Sequence, residues 1–86
     1  MLDQAVPLRE RDVEMYSSRW ETETRYFAMS SSRDLLGDLV IIRHWGSKRS
    51  RRHGKRMTLF FSNKDAASFV RSTERRRERN GYRRIA

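Results

Sequence analysis

After Phe61 the spacing of apolar residues changes, and that change limits the folds open to this chain more than any other feature. From Arg56 to Phe61 the residues alternate, with Met57, Leu59 and Phe61 on one side and Thr58 and Phe60 on the other. Alternation is the period of a strand. Beyond Phe61, Ala66, Phe69, Val70 and Thr73 are spaced i, i+3, i+4, i+7 on one face of a helix. Ser62 followed by Asp65 fits a capping box, with Asp in place of Glu, and marks where the helix starts. Asn80-Gly81 ends it with a residue suited to the left-handed region, and Tyr82 can fold back on the last turn. Phe69 and Val70 are therefore expected to be buried, and Arg75, Arg76 and Arg79 to face water.

The residues before this helix read as strands. From Arg9 to Phe27, polar residues alternate with aromatic and aliphatic ones, and Arg25–Met29 is rich in strand formers. One or two antiparallel strands are expected there. Ser30–Asp34 reads as a polar break and Gly37-Asp38 as a turn. Leu39–Trp45 is the clearest strand and is expected to pair with 56–61 through a basic loop, Gly46–Gly54. Residues 1–8, with Pro7, read as a loose arm, and 9–84 as one domain. The fold class is α+β: a small antiparallel sheet with one helix packed on a face.

Composition narrows the chemistry. The chain has 86 residues and no Cys, which excludes disulfides, thiolate-bound zinc and thiol catalysis. It carries 20 Lys and Arg against 11 Asp and Glu, a net charge of +9. The division is uneven. Residues 1–38 hold five basic and eight acidic side chains, whereas 39–86 hold 15 basic and three acidic. A basic half of this kind attracts polyanions. No apolar run approaches the ~18 residues of a membrane span. Met-Leu-Asp-Gln at the N-terminus has no signal-peptide character, so a cytoplasmic protein is expected.

Catalysis is poorly supported. His44 and His53 lie among arginines, with no carboxylate near in sequence to orient them. No nucleophile elbow, phosphate-binding loop or metal-ligand spacing occurs. A non-enzymatic protein without cofactor or metal is expected.

The strongest candidate site is the basic loop. Arg43, Lys48, Arg49, Arg51, Arg52, Lys55 and Arg56 fall in one stretch with no acid, and Trp45 stands where the strand enters it. Cations beside an aromatic ring suit a phosphate backbone with an exposed sugar or base. Two plainer readings stay open: Trp45 as a core aromatic closing the sheet, and the loop as a hydrated tip. The basic helix end, Arg71–Arg84, contains the i,i+3 ion-pair partners Glu74–Arg77 and Arg75–Glu78 and reads equally as a solvated face.

The ordered set Arg25-Tyr26-Phe27-Ala28, Gly37–Gly46 ending in Trp-Gly, a basic loop, an F-S-capped helix and a closing Asn80-Gly81-Tyr82 resembles the WGR domain. The resemblance covers about residues 9–84. WGR domains occur in poly(ADP-ribose) polymerases, where they bind DNA at strand breaks, and in bacterial proteins. Trp45 and Gly46 match the first two letters of the motif, and Ser47 stands where the family has Arg. The resemblance implies that Trp45 packs on sugar near a strand end, that Arg25 contacts phosphate and that Tyr82 approaches DNA. The resulting expectation is DNA binding, with ends or nicks preferred, through Arg25, Arg43, Trp45, Lys48, Arg49, Arg51, Arg52, Lys55 and Tyr82. RNA or single-stranded nucleic acid is the first alternative partner. An acidic protein is the second.

Overall fold

The computed structural model describes residues 8–86. Its elements are a 3-10 helix (Glu10–Met15), strands β1 (Ser17–Glu21), β2 (Arg25–Arg33), β3 (Leu39–Ser47) and β4 (His53–Phe60), helix α1 (Asn63–Arg79) and strand β5 (Arg83–Arg84). All strand pairs are antiparallel, in the order β4-β3-β2-β1-β5. The first four strands form a meander. Helix α1 then crosses one face of the sheet and delivers β5 to the opposite edge. The fold class is the α+β sheet-and-helix expected from the change of period.

The sequence explains each element. Ser62 caps α1: its hydroxyl accepts from the Asp65 N–H at 3.1 Å. At the other end the Tyr82 N–H reaches the Arg77 carbonyl at 3.0 Å and the Gly81 N–H reaches Glu78 at 3.1 Å. With Gly81 at φ 84°, these bonds make a Schellman stop. The turn before β3 has Gly37 at φ 83°, and its Asp34 carboxylate accepts from the Leu36 and Asp38 N–H groups. Ala66, Ala67 and Val70 are fully buried on the inner face of α1, and the two alanines let the helix sit close to the sheet. Trp20, Phe27, Met29, Leu39 and Ile41 meet them from the strands. Arg75, Arg76 and Arg79 are exposed as expected, whereas Phe69 is only half-buried, its ring 5.1 Å from that of Phe60 and tilted by 46° to it.

A polar chain crosses this core. The Trp20 Nε1–H donates to Ser18 Oγ at 3.0 Å, Ser18 Oγ lies 2.6 Å from the Tyr16 hydroxyl, and that hydroxyl donates to Glu74 at 2.5 Å. The single Tyr16 proton is spent on Glu74, so the Ser18 hydroxyl supplies the proton between them. Arg84 closes the chain on Glu74 at 3.3 Å. Every buried polar group in it has a partner, which removes most of the cost of burying it. Burial, followed by the bond to Glu74, drives the Tyr16 pKa above its ordinary value.

Three expectations are corrected. Residues 10–15 form a 3-10 helix, not a strand, because Val13 and Tyr16 are buried three apart while Met15 is 93% exposed. Ser30–Arg33 continues β2 and is no break. There Ser31 exchanges bonds with Tyr16, its Oγ accepting the Tyr16 N–H and its own N–H donating to the Tyr16 carbonyl, each at 3.0 Å. Phe61 lies beyond β4 and is 91% exposed. The arm expected at 1–8 lies outside the described residues except for Leu8. Leu8 packs on the core, and its carbonyl accepts from Arg71 at 2.6 Å. No helix among the described residues is long and apolar enough to cross a membrane.

Candidate nucleic-acid interface

The hairpin β3–β4 builds the site. Strand β3 runs on to Ser47 and β4 begins at His53, so the loop is shorter than the nine-residue basic stretch suggests. It is also held in shape. Ser47 Oγ accepts from the Arg49 and Ser50 N–H groups at 3.0 and 3.2 Å, and the Ser47 N–H donates to the Arg52 carbonyl at 3.0 Å. The small hydroxyl of Ser47 thus folds the loop.

Trp45 pairs with Phe27 on one side and Gly54 on the other. A Cβ on Gly54 would meet the indole at 2.4–2.6 Å, closer than any side chain tolerates. The ring therefore lies flat across Gly54 at the edge strand. Glycine provides the ledge, and Trp45 stays 39% exposed. Tyr26 lies across Gly46 in the same way, where a Cβ would meet its ring at 2.7 Å.

Beside Trp45 is a pocket of about 370 Å³, whose lining includes Arg25, Ser47, Arg52, His53, Arg77 and Tyr82. Four residues picked out in the sequence, Arg25, Trp45, Arg52 and Tyr82, thus come together from β2, β3, the loop and the residue after the Schellman stop. Arg77 was not anticipated. It reaches the site from the last turn of α1, with its guanidinium 4.6 Å from the Phe27 ring and 5.4 Å from that of Tyr82. Its signal in the sequence was only its place four residues after Thr73 on the inward side of the helix.

The other candidates are placed apart from the pocket. Arg43 lies on β3 two residues before Trp45, its guanidinium 5.1 Å over Phe69. Burial, then repulsion by Arg56, Arg76 and Arg77, holds the Arg43 pKa below its ordinary value. Arg49 and Arg51 are exposed on the loop. Lys55 follows Gly54 on β4, and alternation turns it to the face away from α1. Lys48 is engaged: its Nζ is 2.6 Å from Glu21 Oε1, and its N–H donates to the Thr24 carbonyl at 2.7 Å. The Lys48 ammonium holds the Glu21 carboxyl below the usual carboxylate range.

Glu21 thus withdraws one cation from the interface. A Glu21→Gln variant is expected to bind duplex DNA more tightly at low salt. Its log K against log salt should steepen by about 0.9 if the freed Lys48 meets a phosphate. An unchanged slope would show that Lys48 takes no part.

Among the described residues no three His, Asp or Glu side chains gather in a metal-binding group. No protein-family model matches the chain, and no curated protein or solved structure is significantly similar to it.

Proposed function

We propose that this chain is a cytoplasmic, non-enzymatic nucleic-acid-binding module of WGR type, which binds DNA and prefers ends and nicks. One observation carries the reading. An indole braced against Gly54 keeps its outer face free inside a pocket shared with Arg25, Arg52, Arg77 and Tyr82. Phosphates offer the cations a sequence-independent attraction. A flat ring adds a surface on which an exposed sugar or base can pack, and an intact duplex hides that surface. The cations of the loop, Arg49 and Arg51, lie where they can follow the adjoining backbone.

The reading is tested by binding to blunt, nicked and closed circular DNA of one sequence. Nicked and blunt DNA are expected to win by about five- to a hundredfold, the range that stacking energies imply. Affinity for all three should fall steeply with salt, by about 0.9 in log K per log unit for each phosphate contacted. An RNA arm separates the first alternative partner. Equal binding to closed and broken DNA would remove the end preference, and binding indifferent to salt would remove the polyanion reading.

A further inference from the structure

Beyond the Trp45 pocket, four arginines converge on the same side of the sheet. Arg43 and Arg56 are register partners on β3 and β4. Arg76 and Arg77 come from the last turns of α1, which stands beside them. All four are close enough that Arg56, Arg76 and Arg77 each act on the charge of Arg43. None of them has a carboxylate within 4.0 Å among the described residues. The acids that do form ion pairs, Asp12, Glu14, Glu21 and Glu74, are spent on other cations.

Two of these guanidinium groups are recessed. The Nε–H groups of Arg43 and Arg77 are buried, and no protein acceptor reaches either. A structural role would satisfy such donors with a carboxylate or a carbonyl, since unpaired buried polar groups are costly. Like charges gathered in a recess, with donors left over, have the chemistry of a seat for an anion with several oxygens. Arg77 belongs to this cluster and to the Trp45 pocket at once, so the two sites are continuous.

The distance between them sets the ligand. Arg43 precedes Trp45 by two residues on one strand, a rise of about 7 Å. Successive phosphates on one strand of stacked DNA rise by about 3.4 Å along the axis and lie farther apart through space as the strand winds, so this separation spans about one to two nucleotides. We propose that Arg43, Arg56, Arg76 and Arg77 form a second phosphate seat, which holds a phosphodiester about one to two nucleotides along the strand whose terminal residue packs on Trp45. The inference rests on the reading of the chain as a DNA-binding module. It makes the recognised object an end with a strand attached, not an isolated terminal nucleotide.

Single-stranded deoxyoligonucleotides of one to six residues test it, with binding to the wild-type protein compared with the Arg56→Gln/Arg76→Gln and Trp45→Ala variants. In the wild type, affinity should rise at least about tenfold between one and three nucleotides, as charge-assisted contacts are added. The double arginine variant should bind a mononucleotide as before and lose that step. Its salt slope with longer strands should flatten by about 0.7 for each contact removed. Trp45→Ala should weaken every length alike and keep the step. Arg56 and Arg76 are exposed, and their replacement relieves repulsion, so the double variant should melt no lower than the wild type. A step that persists in the folded double variant overturns the second seat and leaves the Trp45 reading standing. Failure of the wild type to bind any oligonucleotide or broken duplex overturns both.

Discussion

Replacing Trp20 by Ala is expected to leave the domain largely unfolded at room temperature. Trp20 is 2% exposed and sits on β1 between Phe27 of β2 and Arg84 of β5, its register partners on either side. Its ring fills the space under α1, and its Nε1–H is the first donor of the chain that runs through Ser18 and Tyr16 to Glu74. Truncating a buried Trp costs about 3–5 kcal/mol. Losing the donor also leaves the Ser18 oxygen short of a partner in the core. A domain of this size has about 5–15 kcal/mol in total, and small chains lie at the low end. Urea unfolding followed by circular dichroism measures the loss. A variant destabilised by less than about 1 kcal/mol would mean that the core is organised around other residues.

Trp45→Ala is expected to behave in the opposite way: a folded protein whose preference for broken DNA is gone. The ring contributes little to the core because one face lies on the edge strand and the other on solvent. Its removal should cost about 1–3 kcal/mol of end preference, the range for an aromatic ring stacking on a base. Binding to closed circles should persist, since phosphates alone sustain it. Gly54→Ala provides an independent check. The added methyl occupies the ledge, so the ring must swing away, and the same preference should fall although Trp45 is still present. The ratio of affinities for nicked and closed circles, taken on variants with native melting curves, reads both. A folded Trp45→Ala variant with its preference intact would assign the recognition to another residue, Tyr82 first. An unfolded one would make Trp45 a core residue.

The parts of this fold that were legible in the sequence are those whose own residues carry a period. The apolar run that opens 39–45 and the alternation in 56–61 announced the β3–β4 hairpin, and the Ala66–Thr73 stripe with Ser62 and Gly81 announced α1 at both ends. The errors arose where partners far away decide the conformation. Ser30–Ser32 looks like a break locally, yet Val40, Ile41 and Ile42 lie opposite on β3 and extend the ladder through it. Val13 and Tyr16 fit a strand mistaken in phase as well as a 3-10 turn, and the helix they pack on comes some fifty residues later. Strand β5 is two arginines with no apolar content, paired only because α1 brings them to β1. The site followed the same rule. Trp45 and the loop were visible as a contiguous stretch, but Arg77 joins them only through the path of the helix. Lys48 looked free because Glu21 is distant in sequence.

The crossing of α1 also fixes the order in which the sheet can be completed. Strands β2, β3 and β4 are neighbours in sequence and in space, so two hairpins can close them with little loop entropy. The outer edge of β1 is different, because its partner β5 follows the helix. While the chain is being synthesised, β1 must wait with an open edge until α1 has formed and crossed. During that interval the donors and acceptors of 17–21 that β5 will later cover can pair with a neighbouring chain. The polar and charged residues on that strand, Ser17, Arg19 and Glu21, are those that discourage such pairing. Hydrogen exchange pulsed during refolding would show the schedule as protection of β2–β4 amides ahead of the Ile85 N–H, which closes on the Arg19 carbonyl at 2.8 Å.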